Sequence, residues 1–326
     1  MASSLGAADG SYLEAQQWAG SLSYSWLHSD RVFAGSHELT QFESPEDFGN
    51  SYSVAISATY AFTKRISFTF NLPFVYGEHR WAYEHDFVTA YSMTAGGLGD
   101  VSLVGNAWLL DPDKHRDGNV SLSLGVKAPT GDYNAKDISY QPTGPVMRPV
   151  DTSTQPGDGG WGIILQMKAF QRIFKNTDLY AAAYYLINPR KKNGTETFVP
   201  WYPTGFNYIN GVPDQYLGRL GLSYALWPQK GLSVSLGPRI EGQPVRDLIG
   251  GGDDGFRRPG YTLSVEPGLN LTWGKNSFAL SAPVGLVRNR ERSVLEKQLS
   301  AAAGRQILGT SAVGDFLILA SVSRRF

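Results

Sequence analysis

The chain of 326 residues contains no cysteine, which excludes disulfide bonds, thiolate chemistry, cysteine-based zinc or haem sites and a lipid-anchored N-terminal cysteine. Long apolar runs are missing as well. Mean hydropathy is −0.24, and no stretch approaches the roughly 18 to 20 apolar residues of a helical membrane span. By hydropathy alone the chain resembles a soluble protein.

Net charge and a leader sequence are also lacking. The 29 basic and 29 acidic residues cancel, so charge gives no reason to expect nucleic acid or an anionic membrane surface as a partner. The first ten residues have neither the basic nor the apolar region of a signal peptide. We therefore expect an exported protein with this sequence to be a mature form with an added Met1.

What the chain does contain is alternation of apolar and polar residues with a period of two, which is typical of β-strands. In the first segment, Trp18, Leu22, Tyr24 and Trp26 alternate with serines. We count about twelve such segments, most of them long enough for the roughly 9 to 11 residues of a tilted membrane strand. The clear segments are 18–26, 52–62, 66–74, 120–128, 216–226, 232–240, 261–273 and 278–286, the weaker ones are 100–110, 161–171 and 178–187, and the last lies at the C-terminus.

The predicted connections alternate strictly between short and long. Short turns, such as 63–65 and the P-Q-K-G stretch at 228–231, follow every second strand. The long connections lie near 30–49, 77–98, 129–160, 189–213, 243–258 and 288–312. A soluble sandwich or propeller has no reason to keep its long loops at one end, whereas an outer-membrane barrel has short periplasmic turns and long outer loops.

The sequence therefore predicts an all-β fold: a transmembrane up-and-down antiparallel β-barrel of about twelve strands, with a short helical plug or loop helix, in the bacterial outer membrane and in contact with the lipid bilayer. Aromatic residues near the strand ends match the two interfacial girdles of such barrels. The predicted outer girdle contains Trp26, Phe74, Tyr76, Trp161 and Tyr261, and the periplasmic girdle contains Trp18, Phe62, Phe174, Tyr224 and Trp273.

Alternation also predicts which residues face the lumen. Both charge signs occur there, so the set either forms a hydrogen-bonded network that fills a narrow barrel or lines a selective pore. The predicted pore-lining residues are Asn71, Asn106, Lys127, Gln166, Lys168, Arg219, Arg239, Glu241, Glu266, Asn270 and Asp315.

Two stretches carry the S-x-x-E spacing of a helix capping box. They are Ser11 to Glu14 and Ser293 to Glu296, and Gly304 supplies a stop for the second. Either helix could lie on a loop or enter the lumen as a plug. We divide the chain into an N-terminal segment, 1–16, that acts as plug or linker, and a barrel, 17–326.

No enzyme is predicted. The five histidines have no spacing that suggests a catalytic triad, and no phosphate-binding glycine loop precedes a helix. The G-G-G-D-D-G stretch at 250–255 could bind a hard cation through Asp253 and Asp254, but a flexible loop is the favoured interpretation. We expect no cofactor, no metal and no nucleic acid.

Two motifs resemble a known family. G-G-L-G-D-V-S-L at 96–103 and L-S-L-G-V-K-A-P-T-G-D-Y at 122–133 are similar to the paired signature of outer-membrane barrels of the phenol-degradation meta-pathway family. The family name implies a passive channel for small aromatic or hydrophobic compounds. In that case an apolar trough formed by inward Leu217, Val104, Ile164 or Trp108 would matter.

Within this family, chain size, the twelve-strand plan and the free N-terminal segment most resemble the barrel of the functional-amyloid secretion channels of Pseudomonas. That resemblance implies export of unfolded amyloid subunits from the periplasm through a polar lumen, a homotrimer and a role in biofilm. Export is the preferred functional prediction, the small-molecule channel is the alternative, and a purely structural or anchoring barrel is the third hypothesis.

The final segment, D-F-L-I-L-A-S-V-S-R-R-F, predicts the closing strand. An aromatic C-terminal residue is similar to the terminus that the barrel-assembly machinery reads, so we expect Phe326 to face lipid and the strand to pair with the first. Leu317 and Leu319 then point inward, and we predict that they contact a plug or a loop helix.

Overall fold

The computed structural model describes residues 12–44, 46–204, 206–307, 309 and 311–326, apart from the side chains of Phe42 and Ala312. Its strands, in chain order, are β1 (Trp18–Ser29), β2 (Val32–Ala34), β3 (His37–Glu38), β4 (Phe48–Ala61), β5 (Ile66–Arg80), β6 (Ser92–Leu98), β7 (Ser102–Trp108), β8 (Gly118–Lys127), β9 (Lys136–Gln141), β10 (Gly144–Pro149), β11 (Gly162–Phe174), β12 (Thr177–Ile187), β13 (Lys192–Glu196), β14 (Ile209–Gly211), β15 (Gln215–Trp227), β16 (Leu232–Gln243), β17 (Gly260–Trp273), β18 (Asn276–Ser281), β19 (Val284–Arg290), β20 (Ser311–Ala312) and β21 (Phe316–Arg325). One α-helix, α1 (Val294–Ala303), and 3-10 turns at Thr40–Phe42, Ala82–Glu84 and Pro228–Lys230 complete the described elements.

Twelve spans form a closed antiparallel barrel, as predicted. Each span pairs with its neighbours along the chain, in the order β1, β4, β5, β6 with β7, β8, β11, β12, β15, β16, β17, β18 with β19, and β21. The last strand closes the ring against the first, in a register from Ala19 opposite Arg325 to His28 opposite Phe316. The C-terminal segment is therefore a seam rather than a free edge.

Two spans are interrupted. The fourth consists of β6 and β7, which both pair with β5 on either side of the break at 99–101. The eleventh consists of β18 and β19, separated by Ala282 and Pro283. The long connection predicted at 77–98 was wrong at both ends, because β5 continues to Arg80 and β6 already begins at Ser92. Gly96 and Gly97 interrupt the side-chain pattern of β6, so alternation did not reveal this strand.

The outer surface carries the apolar belt that lipid requires. Alternate residues such as Leu22, Ile56, Phe70 and Leu124 are exposed on the barrel wall. At the outer rim, the rings of Trp26, Tyr52 and Tyr76 follow one another at centroid distances of 6.2 and 6.1 Å across three strands. This belt and its aromatic edge place the barrel in the outer membrane.

The outer loops fold into a cap. Helix α1 begins at the predicted capping box, in which Ser293 and Glu296 bond each other's backbone, and ends at Gly304 with a φ of 62°. Its Leu295 and Leu299 pack against a loop cluster of Val199, Tyr202, Phe256 and Ile307. The helix is therefore a loop helix above the barrel. No described helix has the length and apolar character needed to cross a membrane.

The N-terminal helix prediction is not supported by the residues that are described. Ser11 lies outside them, and Tyr12 to Gln17 form a turn instead of a helix. The Glu14 backbone donates to the side chain of Gln17, and Gln16 has a positive φ of 64°. A helix cannot continue through a left-handed residue.

Candidate functional site

The barrel encloses a cavity of about 860 Å³ that runs along one wall. This wall is formed by β1, β4, β5 and β7, whose inward positions carry mostly serine, threonine and asparagine. Such short side chains leave space that longer ones would fill. The wall residues include Ser21, Ser23, Ser25, Ser53, Ser57, Thr59, Ser67, Thr69 and Asn71.

Two asparagines tie this polar wall together. Asn71 accepts a hydrogen bond from Ser57 at 2.7 Å and donates to Ser102 at 3.2 Å. Asn106 accepts from Ser123 at 2.8 Å and donates to Thr69 at 3.2 Å. The amides are therefore partnered by the wall, which makes it a fixed polar surface.

The opposite wall is filled by charged side chains. Arg219 and Arg239 lie directly opposite each other on β15 and β16. Glu266 separates them, with a carboxylate oxygen 2.7 Å from Arg219 and another 3.7 Å from Arg239. Arg239 also donates two hydrogen bonds to Glu241, at 3.1 and 2.7 Å. Buried like charges require such a counter-ion.

The two signature motifs bind each other across the break in the fourth span. Asp100 accepts from Lys127 Nζ at 3.0 Å and from the Gly131 backbone at 3.0 Å. Thr130 donates to the Gly99 carbonyl at 2.7 Å. Lys127 also contacts Asp158. These contacts explain the spacing of the signature, because β8 ends where its neighbour is interrupted.

The predicted pore-lining residues therefore divide into two groups. On the cavity wall lie Asn71, Asn106, Gln166, Lys168, Glu241 and Asp315. Buried and not on the cavity wall are Lys127, Arg219, Arg239, Glu266 and Asn270. Alternation identified the inner face but could not separate these groups.

An apolar trough interrupts the polar lumen. Val104, Ile164, Tyr184, Leu186 and Leu217 form one buried cluster. Three of them, Val104, Ile164 and Tyr184, line the cavity, and Leu186 and Leu217 pack behind these three. The sequence had singled out Val104, Ile164 and Leu217 as candidates, but Tyr184 and Leu186 were missed. Segment 178–187 is apolar on both faces, so no alternation marked its inner side.

The segment before β1 reaches the periplasmic end of the lumen. The ring of Tyr12 lies 4.9 Å from that of Trp108 and 6.2 Å from that of Phe170. Its hydroxyl donates to the His115 carbonyl at 2.8 Å and accepts from Asn119 at 3.0 Å. Tyr12 is thus held both by ring contacts and by hydrogen bonds.

The inward leucines of the last strand, Leu317 and Leu319, are buried. Leu317 lies opposite Leu27 of β1, and Leu319 lies opposite Ser25. Just before this strand, Asp315 accepts from Arg31 at 2.5 Å and lies 3.2 Å from Arg288. A contact of the two leucines with a plug stays a prediction.

An ionic cluster joins the loops above the cavity. Among the described residues it brings the possible metal ligands His79, Glu84 and Asp151 within 4.8 Å of one another. His79 pairs with Glu84 at 2.7 Å, and Arg258 donates two hydrogen bonds to Asp151, at 2.7 and 2.5 Å. Burial alone would raise the pKa of Asp151, but the charge of Arg258 outweighs it and holds that pKa well below its usual range. The cluster is thus satisfied by its own ion pairs.

The comparisons with known proteins concern the fold. No family model and no curated protein matches the chain. An outer-membrane channel from Pseudomonas putida F1 is similar in structure, with a TM-score of 0.64, 14% identity, and coverage of 99% of this chain and 100% of the other. The β domain of the Bordetella autotransporter BrkA has a TM-score of 0.50 and 11% identity, with coverage of 95% of this chain and 100% of the other. The toluene transporter TodX of P. putida has a TM-score of 0.46 and 8% identity, with coverage of 96% of this chain and 91% of the other.

The closed barrel, the apolar belt and the polar lumen define an outer-membrane β-barrel with a cavity in its interior. At these identities the similarities establish that fold and no more. The resemblance to the phenol-degradation family rests on the two signature motifs, and the more specific resemblance to an amyloid secretion channel has no support from the comparisons.

Proposed function

We propose that this protein is a passive outer-membrane channel for small aromatic or other hydrophobic compounds. The observation that carries this proposal is the apolar trough of Val104, Ile164 and Tyr184 on the wall of the cavity. A volume of about 860 Å³ is in the range of small-molecule sites, which combine an apolar lining with a few polar groups.

Export of unfolded amyloid subunits is the weaker candidate. An extended polypeptide would need a continuous polar passage, whereas the buried Arg219–Glu266–Arg239 network and the apolar trough occupy part of the lumen. A deletion strain separates the two candidates. Slower growth on hydrophobic carbon sources supports the channel, and loss of surface fibres with normal growth supports export. The homotrimer stays a prediction that native mass spectrometry can test.

Uptake by proteoliposomes tests the channel directly. The double substitution Val104→Thr and Ile164→Thr places two hydroxyls in the trough with little change in size at the first site. Uptake of labelled ethylbenzene should fall several-fold relative to the unsubstituted protein. Thr69→Ser on the polar wall is the matched control and should leave uptake unchanged. Equal uptake by all three proteins would refute a role for the trough.

We further propose that the segment before β1 restricts the lumen. Residues 1–11 of the predicted plug lie outside the described part of the chain, but Tyr12 and Leu13 reach the cavity end. Deletion of residues 2–16 should raise single-channel conductance, and Tyr12→Ala should raise it in part because two ring contacts and two hydrogen bonds are lost. The plug is ruled out if conductance stays small and equal in all forms.

A further inference from the structure

The hydroxyl of Tyr184 is one of several side-chain atoms of the lumen that are buried without a partner among the described residues, and it is the only polar atom of its side chain. Tyr184 itself is 8% exposed and lies on the cavity wall, between Gln166 of β11 and Leu217 of β15. A buried polar group without a partner destabilises a protein by about 1 to 3 kcal/mol, so its presence requires a reason.

The surroundings of this hydroxyl are apolar on the side of the trough. Ile164 and Leu186 face each other across β11 and β12, directly beside the Gln166–Tyr184 pair. Val104 enters the same space because Gly125, its partner on β8, has no side chain, and a Cβ there would lie 2.8 Å from Val104 Cγ2. The trough therefore has an apolar floor, and Tyr184 and its strand neighbour Gln166 lie at its edge.

Such a surface discriminates between ligands of similar shape. A plain hydrocarbon in the trough would leave the Tyr184 hydroxyl without a partner, whereas a ligand with a hydroxyl or carbonyl oxygen would satisfy it. Sites with a buried polar group bind the ligand that satisfies it in preference to the analogue that does not.

We propose that Tyr184, Val104 and Ile164 form a binding subsite for small aromatic molecules that carry one hydroxyl or carbonyl group, with Tyr184 as the residue that determines specificity. This inference rests on the proposed channel function and goes beyond it by naming the ligand class and the group that recognises it.

Calorimetric titration of the protein in nanodiscs tests the subsite, with empty nanodiscs as the blank for partition into lipid. Benzyl alcohol and ethylbenzene are the probes, since they differ chiefly in replacement of a hydroxyl by a methyl group. Tyr184→Phe should weaken binding of benzyl alcohol about fivefold, the effect of one hydrogen bond, and should leave ethylbenzene binding unchanged or slightly stronger.

Tyr180→Phe is the matched control. Tyr180 lies four residues away on the same inner face of β12, but its hydroxyl already bonds Ser235 and Arg219 and it does not line the cavity. This variant should bind both probes as the unsubstituted protein does.

The outcomes separate the two proposals. If Tyr184→Phe changes binding of both probes equally or of neither, the subsite is refuted while the channel function stands. If the unsubstituted protein binds neither probe, the channel function and the subsite both fail. Heat-modifiable migration of each variant on gels verifies that the barrel has closed.

Discussion

The buried carboxylate of Glu266 offers the sharpest test of how the lumen is stabilised. It lies 2.7 Å from Arg219 and 3.7 Å from Arg239, and all three side chains are at most 3% exposed. At an effective dielectric constant of about 20, its attractions to the two arginines amount to about 6 and about 4 kcal/mol. A neutral glutamine avoids the cost of burying the carboxylate's charge, and this offsets several kcal/mol of the lost attraction. We expect Glu266→Gln to lower the free energy of unfolding by about 3 to 5 kcal/mol.

Urea unfolding in detergent micelles, followed by tryptophan fluorescence, measures this loss. Glu241→Gln is the matched control, because Glu241 also binds Arg239 but is 32% exposed at the cavity. Water screens such a pair, so the loss should be about 1 kcal/mol or less. Equal losses in the two variants would refute the conclusion that burial makes Glu266 the essential counter-ion. An unchanged midpoint for Glu266→Gln would refute the ionic network itself.

Three further predictions concern the outer loops. Ser293→Ala removes the N-cap of α1 and should destabilise the loop cap by about 1 kcal/mol, seen as faster protease cleavage near residue 300, while Ser293→Asp should preserve the cap. Asp151→Asn breaks the ion pair with Arg258. Because the pKa of Asp151 is lowered, the stabilisation from this pair is complete above about pH 4 and is lost only as pH falls toward that pKa. The protease resistance of this variant should therefore be lower than that of the unsubstituted protein at neutral pH, and the two should converge in strong acid. Gly77→Val should release the third outer loop, since a Cβ at this site would lie 2.8 Å from Thr154 Cα, and unchanged proteolysis would contradict this packing.

Local pattern predicted the barrel well because lipid acts on every strand separately. Each outward residue must be apolar whatever its neighbours are, so a period of two was visible in segments as far apart as 18–26 and 261–273. The pattern missed β6, which two adjacent glycines interrupt, and it found β12 as segment 178–187 without showing which face is inward, because apolar residues lie on both faces.

The site depended on contacts that no local pattern contains. The signature motifs at 96–103 and 122–133 were visible, but their joining through Asp100, Thr130 and Lys127 depends on register between separate strands. The S-x-x-E spacing produced a capped helix at 293–304 but not after Ser11, where residues 12–17 enter the barrel mouth and form tertiary contacts instead.

The sequence by itself determined the number of spans, the face of each span that meets lipid and the closing role of the last strand, since these follow from a two-residue period and a bilayer of constant thickness. Only the tertiary structure decided which part of the lumen is open. Serine and threonine of the first strands face arginine and glutamate of later ones across the barrel, so the cavity arises from differences in side-chain size between walls that lie far apart in sequence. The Tyr184 hydroxyl, which has no partner among the described residues, became visible only when those walls were brought together.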